Sequence, residues 1–366
     1  MKIGLLTFHK ALNCGAVLQS WALCHYLSQN GYEVGLIPNH VGEWARWDRL
    51  PTTGSFLGRM KMTISATLNN ICSFGCRDLM IKRFKEFQRN YLPEVNASEC
   101  DVISVGSDQV WRKSLTHDET GLFRGSDLPR DVRLISYAAS YGDVPLSKND
   151  LEELINQVKR FDCVSVREPL VKNQLESAGL PKVQLVVDPT LLLDAKEYDE
   201  ISFNFDSLQE DFIFAYTVHA TPFFVNTSKA IAKKLGLKLI MTSAAQNTRR
   251  KAPSGLTYGV SPDRMIGYIK KAKYVIASSF HGTVLSFIHQ KPFISLRPDG
   301  FNAISRPVAF LINVGEEDRV VGPNDSNEKA VSKLTRPIKT DSLQRLSEMR
   351  AESMMWLDRA ISGGVA

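Results

Sequence analysis

The sequence predicts an α/β protein built from two Rossmann-like, doubly wound domains. Three observations favour this fold class. The chain has 366 residues, which is more than one ordinary hydrophobic core accommodates. Apolar runs of strand length alternate with helical patterns, which is typical of parallel sheets. This alternation begins a second time after about residue 192.

The first half of the chain carries six strand-like runs, namely "KIGLLTF", "EVGLI", "DVISVG", "RLISYAAS", "CVSVR" and "VQLVV". Between the first two lies "AVLQSWALCHYLSQNGY", which has a helical pattern. The segment "LEELINQVKRF" places Leu151, Leu154, Ile155 and Val158 on one helical face. We therefore predict an N-terminal Rossmann-like domain over residues 1–195.

The second half repeats the pattern with the strand-like runs "DFIFAYTV", "LKLIMT", "KYVIASS" and "PFISLR". It predicts a C-terminal Rossmann-like domain over residues 196–340, joined to the first by a linker at about 192–210. Residues 341–366 hold a further helix that we expect to cross back to the first domain. Two such domains facing a central cleft resemble the GT-B architecture, and ligands of such sheets bind outside the carboxyl ends of the strands.

Composition narrows the class of protein. Hydrophobic residues make up 43% and charged residues 23% of the chain, as in a soluble globular protein. No apolar run approaches the roughly 20 residues of a membrane span, and "MKIGLLTF" has no signal-peptide pattern. The six cysteines are scattered and complete no zinc set. We expect reduced thiols, no metal and a cytoplasmic location.

Much of the positive charge is concentrated in residues 44–91. Nine Lys or Arg stand there against three acids, so this segment alone carries +6, the formal net charge of the whole chain. It also contains Trp44, Trp47 and Phe56, a mixture that suits peripheral contact with an anionic membrane. The alternative is a solvated helical face beside core aromatic residues. No nucleic-acid-binding motif accompanies the charge, so we expect no nucleic acid partner.

The first strand leads into "HKALNCGAVLQ", which predicts a ligand-facing loop that opens a helix at Ala16. His9, Lys10 and Asn13 would face the ligand, and Gly15 would let the backbone approach it closely. As an alternative, Asn13 simply caps the helix. The loop is not a G-x-G-x-x-G motif, so no dinucleotide cofactor is expected.

The third strand ends in "VGSDQVW", which places a carboxylate and an indole at a strand end. Asp108 can accept a proton from a sugar hydroxyl, and Trp111 can stack on a sugar ring. The alternative is that Asp108 caps the following turn and Trp111 belongs to the core. Both interpretations remain open from the spacing.

The run "SVREP" places Arg167 directly after a strand. Its guanidinium suits a carboxylate or phosphate, because it offers two parallel N–H donors. A structural salt bridge to Glu168 or another acid is the alternative. In "VVDPTLLL" we interpret Asp188 as a cap and turn residue, with a structural role only.

The stretch "SSFHGTVLSF" places His281 at a strand-to-helix turn, with Ser278 or Ser279 as the N-cap. The free N–H groups of the first helical turn favour an anion there. Arg306 lies at a second helix entrance, before Pro307. Residues 264–298 contain six Lys or Arg and no acid, so we expect the local field around His281 to favour an anionic ligand.

Six segments in this order resemble the polysaccharide pyruvyl transferase family: "FHKALNCGAVLQSWAL", "VGSDQVW", "ISYAASYG", "SVRE", "VVDPTLLL" and "SSFHGTVLSF". The resemblance runs from residue 3 to about residue 312. Cys14 departs from it, because an aromatic residue is more usual there. The resemblance implies a GT-B-like fold and transfer of a pyruvyl group from phosphoenolpyruvate to a sugar, usually closing a cyclic ketal on two hydroxyls.

It also implies a phosphoenolpyruvate site with Arg167, Ser279, Phe280, His281, Gly282, Thr283 and Arg306. The acceptor would then be met by His9, Lys10, Asn13, Gly15, Asp108 and Trp111. Phosphoenolpyruvate carries a carboxylate and a phosphate, which suit two arginines and a helix N-terminus. His281 would be the general acid or the phosphate partner, and Asp108 the base. Phosphoenolpyruvate is the donor substrate, and no cofactor is expected.

The acceptor we expect is a sugar of a bacterial surface-polysaccharide precursor. Segment 44–91 makes a polyprenyl-diphosphate-linked sugar attractive, since the segment could hold the enzyme at the inner face of the membrane. Two alternatives are a sugar-nucleotide glycosyltransferase of the same fold and a non-catalytic binding protein of envelope assembly. The first is disfavoured because "TVLSFIHQK" offers no acid to hold a ribose.

Overall fold

A computed structural model describes residues 1–41, 76–244, 256–257, 259–297 and 305–364. The membrane-facing segment predicted at 44–91 lies outside the described residues as far as residue 75, and Trp44, Trp47 and Phe56 lie in that part. Among the described residues, no helix combines the length and apolar character that crossing a membrane requires.

The first sheet is parallel, in the strand order β2-β1-β3-β4-β5-β6. Its strands are β1 (Lys2–Leu6), β2 (Glu33–Leu36), β3 (Val102–Val105), β4 (Arg133–Ala139), β5 (Cys163–Val166) and β6 (Val183–Leu185). The helices of this half are α1 (Cys14–Gln29), α2 (Cys76–Tyr91), α3 (Lys113–Thr116), α4 (Thr120–Phe123), α5 (Lys148–Val158) and α6 (Pro169–Ser177). Strands such as β3 are buried along their whole length, because helices cover both faces of a parallel sheet.

The second sheet is also parallel, in the order β11-β10-β9-β7-β8. Its strands are β7 (Phe212–Thr217), β8 (Lys238–Ser243), β9 (Tyr274–Ala277), β10 (Phe293–Leu296) and β11 (Val320–Val321). The helices here are α7 (Ala195–Glu200), α8 (Pro222–Leu235), α9 (Pro262–Lys271), α10 (Phe280–Ile288), α11 (Arg306–Val314), α12 (Asn327–Leu334) and α13 (Thr340–Ser362). The predicted α/β class with two doubly wound sheets is thereby confirmed.

Both sheets share one winding scheme. Counted within its own half, each places its strands in the order 2-1-3-4-5, and the first adds a sixth strand. This is the flavodoxin-like order, whose direction reverses between the first and third strands. The switch point lies between β1 and β3 in one sheet and between β7 and β9 in the other. The loops after these strands are therefore where a ligand is expected.

The two halves are packed against each other. The predicted linker region lies between the end of β6 and the start of β7, and it contains α7. Apolar side chains of both sheets, such as Leu5 and Phe214, belong to one contiguous buried cluster. The thiol of Cys14 on α1 lies 3.7 Å from the carbonyl oxygen of Val260 in the second half.

Helix α13 packs on the first sheet. The Nε of Arg133 on β4 donates to the carbonyl oxygen of Ala360 over 2.8 Å. The hydroxyl of Ser353 accepts from the backbone N–H of Val187 over 3.0 Å. The ring of Trp356 lies 6.3 Å from that of Tyr137. The chain thus ends its second sheet and then returns to cover the first.

Candidate functional site between the two sheets

The site is centred on Asp188, which follows β6 and is fully buried. Its Oδ1 accepts from the backbone N–H and the hydroxyl of Thr190, over 3.0 and 2.6 Å. Its Oδ2 accepts from the hydroxyl of Ser107 over 3.0 Å and from the Nη1 of Arg167. The cap predicted at Asp188 exists, but the same carboxylate also collects groups from the ends of β3 and β5. The structural role predicted for Asp188 is present, and it extends beyond the cap to these contacts.

Arg167, at the end of β5, is held between two carboxylates. Its Nη1 is paired with Asp188, and its Nε donates to Glu168 over 3.1 Å. The salt bridge considered as the alternative to ligand binding is therefore present. The Nη2 is buried and has no hydrogen-bond partner among the described residues. The guanidinium also lies 5.0 Å from the ring centroid of Phe280, a residue of the second half.

His281 reaches Asp188 from the other domain. Helix α10 begins at Phe280, so His281 lies within the first helical turn and not in the loop before it. Its Nε2 lies 3.8 Å from the Oδ2 of Asp188 and has no hydrogen-bond partner in the described part of the chain. Burial alone would raise the pKa of Asp188, but the charges of Arg167 and His281 hold that pKa well below its usual range.

Gly15 lets this approach happen. A Cβ at this position would overlap the Nδ1 of His281 and lie 2.9 Å from its Cβ. Gly15 was predicted to admit a ligand, and the group that it admits in the structure is the imidazole of His281. Only a residue without a side chain allows α1 and α10 to meet at this distance.

The neighbours of His281 hold the first turn of α10 in place. The hydroxyl of Ser279 accepts from the backbone N–H of Gly282 over 3.1 Å, which makes Ser279 the N-cap. A Cβ at Gly282 would lie 3.0 Å from the ring of Tyr216. Thr283 is fully buried, and its hydroxyl donates to that of Ser295 over 3.3 Å. The side chain of Thr283 is therefore packed inside the second domain, and its donor-binding role stays a prediction.

Arg306, the first residue of α11, spans the cleft to two acids of the first domain. Its Nε lies 3.5 Å from the Oδ1 of Asp143, and its Nη1 lies 3.9 Å from the Oδ1 of Asp108. Its backbone N–H donates to the same oxygen of Asp143 over 3.1 Å. Asp108 keeps a partly open side chain in a left-handed conformation with φ of 69°. The structure thus brings Asp108 and Arg306 together.

Trp111 does not face the cleft. Its side chain is completely buried, and its ring stands edge-on to Phe161 at 6.4 Å. Its predicted stacking on a sugar ring is wrong, because the residue belongs to the core of the first domain.

The polar side chains of the loop after β1 contact other residues of the first domain. His9 is 2% exposed, and its Nε2 lies 3.7 Å from Glu94, to which Lys10 also pairs at 3.0 Å. Burial lowers the pKa of His9. Asn13 caps α1 by accepting from the backbone N–H of Gly15 over 3.0 Å, and the helix begins at Cys14, not at Ala16. Asn13 therefore fills the alternative role, and the contacts of His9 and Lys10 do not support their acceptor assignment.

The cationic side chains of the site have carboxylate partners within the protein. In the acid-free stretch 264–298, His281 is faced by Asp188 of the first domain. Arg306, beyond that stretch, is faced by Asp108 and Asp143. Glu168 is buried, which raises its pKa, although Arg167 opposes that shift. Within the described residues, no group of three or more His, Cys, Asp or Glu side chains could hold a metal ion. The arginines and His281 thus lie among acids that belong to the protein.

Comparison with known proteins identifies both the family and the fold. The family model of polysaccharide pyruvyl transferase matches residues 13–300. A search of curated proteins found no match. Among solved structures, a UDP-N-acetylglucosamine 2-epimerase from Rickettsia bellii is 13% identical, with 99% of this chain and 96% of that chain covered, at a TM-score of 0.55.

A second similar structure is a putative UDP-N-acetylglucosamine 2-epimerase from Listeria monocytogenes. It is 12% identical, with 95% of this chain and 90% of that chain covered, at a TM-score of 0.51. Both likenesses concern the fold, and they confirm the predicted GT-B-like architecture.

Proposed function

The chain belongs to the polysaccharide pyruvyl transferase family, and on this premise we propose that it takes its pyruvyl group from phosphoenolpyruvate. The acceptor is a sugar of a bacterial surface-polysaccharide precursor, and two of its hydroxyls close a cyclic ketal on the transferred carbon.

The observation that carries the proposal is the pair of buried donors beside Asp188. The Nη2 of Arg167 and the Nε2 of His281 have no hydrogen-bond partner among the described residues, and they come from different domains. A buried N–H without a partner is unfavourable, typically by about 1–3 kcal/mol. An anionic substrate that reaches both would satisfy them with charge-assisted bonds.

The chemistry requires one proton to be delivered and two to be removed. Protonated His281 gives its proton to the methylene carbon of phosphoenolpyruvate, which leaves an oxocarbenium-like centre at C2. The first sugar hydroxyl forms a C–O bond there, and Asp108 takes its proton. The C2–O bond to phosphate then breaks, the second hydroxyl adds to C2, and its proton leaves with the phosphate.

Asp188 serves this step without touching the substrate. Its carboxylate is ionised, because its pKa is held well below the usual range. At 3.8 Å from the Nε2 of His281 it stabilises the positive imidazolium that must exist before the proton is transferred. The first domain thus supplies the negative charge of Asp188, and the second domain supplies His281 as the general acid.

Ligand-dependent thermal stability tests the proposed donor. A ligand at 100 times its dissociation constant stabilises the folded protein by about 2.7 kcal/mol. Phosphoenolpyruvate should raise the melting temperature of the wild type, and His281→Ala and Arg306→Ala should lose this response. Sugar nucleotides serve as the comparison. A response to a nucleotide sugar alone would refute the donor and favour the glycosyltransferase alternative.

A lipid-linked acceptor gives the basic segment 44–91 a role. A polyprenyl-diphosphate-linked sugar lies at the membrane surface, and nine Lys or Arg with three acids give this segment the charge for peripheral contact there. Flotation with vesicles of anionic phospholipid should carry the protein upward at low salt. Lack of flotation would remove this support and leave a soluble acceptor.

A further inference from the structure

In the free protein, the N-terminus of α11 is occupied by a carboxylate of the opposite domain. We infer that Asp143 takes the place of the donor's anion on Arg306, so that it sets the donor affinity and holds the cleft closed until the donor replaces it. This inference rests on the proposed function for the identity of the donor. The competition itself concerns any carboxylate or phosphate.

The contacts of Asp143 are those that an anionic ligand would make. One oxygen, Oδ1, accepts from the backbone N–H of Arg306 over 3.1 Å and lies 3.5 Å from its Nε. Both side chains are 22% exposed, so the pair is partly accessible to solvent. A helix N-terminus with an arginine attracts anions, and here the protein supplies its own.

The loop that carries Asp143 is fixed at its base. The hydroxyl of Ser140 donates to Glu168 over 2.6 Å and accepts from the backbone N–H of Gly142 over 3.1 Å. Gly142 has a φ of 97°, which a residue with a side chain rarely adopts. The carboxylate is therefore presented to α11 by an ordered turn.

Donor and Asp143 cannot use the same N–H groups at once. If the donor binds only when Arg306 is released, its apparent dissociation constant is the intrinsic constant divided by the released fraction. Removing the charge of Asp143 raises that fraction and tightens binding. The same event draws the guanidinium away from Asp108, which lies 3.9 Å from Nη1. Donor binding would thus expose the carboxylate that accepts the sugar proton.

Asp143→Asn tests the competition, because it removes the charge and keeps the shape. We expect its dissociation constant for phosphoenolpyruvate, measured by calorimetry, to fall about two- to fivefold, which is the range of an ion pair at this exposure. Asp211→Asn is the matched control, since Asp211 pairs with Lys273 at 2.6 Å before β7 and is 61% exposed. It removes the same charge and should leave the constant unchanged. Equal or weaker binding by Asp143→Asn would overturn the inference.

Inorganic phosphate separates this inference from the proposed function. If phosphoenolpyruvate binds neither protein but phosphate binds Asp143→Asn more tightly than wild type, the donor is wrong and the competition stands. If neither anion distinguishes the two proteins, the competition is refuted.

Hydrogen exchange of the Arg306 amide tests the contact without any ligand. In Asp143→Ala this amide loses its acceptor, so it should exchange several times faster than in the wild type. Amides at the N-terminus of α12, whose Ser326 cap is far from this loop in the chain, serve as the internal reference. Unchanged exchange at Arg306 would show that the contact is absent in solution and would equally overturn the inference.

Discussion

Gly15 and His281 touch across the domain boundary, and the contact leaves no room for a side chain. Gly15→Ala should therefore displace the imidazole while the fold persists. A misplacement of about 1 Å can reduce a rate by about 100-fold, and we expect a loss of that order in turnover with phosphoenolpyruvate. Steady-state kinetics and circular dichroism measure the two effects.

Gly322→Ala is the matched control for this change. A Cβ at Gly322 meets nothing within 4 Å, and its φ is not positive. It should keep both turnover and fold. Normal turnover of Gly15→Ala would show that His281 need not lie where the structure places it.

The buried ion pair of Arg167 and Asp188 gives a second prediction at this scale. Removing one partner of a buried pair destabilises a protein by about 3–5 kcal/mol, because the other charge loses its compensation. Asp188→Asn should show a loss of about this size in urea unfolding. The double variant Asp188→Asn/Arg167→Gln should recover part of it. If the loss of stability in the double variant equals the sum of the losses in the two single variants, the pair is not coupled.

Single residues were predicted from the sequence only where local chemistry identified them. His281, Arg167 and Arg306 follow strands or open helices, so their positions could be inferred. The contacts of Asp188 and Asp143 could not, because their partners are distant in the chain: Ser107 lies 81 positions from Asp188, and Arg306 lies 163 positions from Asp143. Trp111 was misassigned because a strand end does not reveal which face its neighbours cover.

At the scale of elements, helix α10 depends on its N-cap. Replacing a serine cap by alanine destabilises a protein by about 1 kcal/mol. Ser279→Ala should show this loss and also reduce turnover, since the first turn of α10 carries His281. Chemical denaturation and kinetics at saturating substrate measure the two effects.

Ser326→Ala provides the comparison for that change. Ser326 caps α12 by accepting from the backbone N–H of Lys329 over 3.2 Å, as Ser279 accepts from Gly282 over 3.1 Å. The two variants should lose similar stability, and only Ser279→Ala should lose activity. Equal turnover in the two variants would mean that the N-cap of α10 does not contribute to catalysis.

Most elements were predictable because the apolar periodicity agreed with the positions of residues, such as proline, that begin or end a helix. Pro292 lies between the end of α10 and β10, and Pro307 lies in the first turn of α11. The start of α1 was misplaced by two residues, since the capping by Asn13 could not be told from ligand binding. His281 was assigned to a turn because sequence does not separate a cap from the first helical residues.

At the scale of the whole molecule, buried histidines link stability to pH. Burial lowers the pKa of His289, and likewise that of His9. The unfolded chain therefore binds protons more readily below the ordinary value of 6.5, and stability falls as the pH decreases through that value. Each such histidine accounts for up to about 1 kcal/mol between pH 7.5 and 5.5.

Urea unfolding at both pH values checks this prediction. His289→Gln should lose less stability on acidification than the wild type, by up to about 1 kcal/mol. His25→Gln is the reference. Identical pH dependence in all three proteins would mean that His289 is protonated as readily in the folded state as in the unfolded chain.

The architecture was predictable because strand-like and helical segments alternate in both halves of the sequence. The order of the strands within each sheet was not predictable. Alternating strands and helices indicate parallel sheets but do not say which strands are neighbours. The acidic partner of His281 could not be predicted for a related reason. Residues 264–298 contain no acid, yet Asp188, which faces His281, belongs to the other domain. Counting charged residues along the sequence does not show which charges of the other domain lie nearby in the structure.

Helix α13 also has a consequence for the order in which the protein is made. The residues of the first sheet leave the ribosome early, yet the surface that Trp356 and Ile361 cover waits until both sheets have been synthesised. A nascent chain therefore leaves this apolar surface uncovered until α13 has been synthesised. Such surface is where aggregation begins. The first sheet is thus translated before the second, but its cover is translated after both.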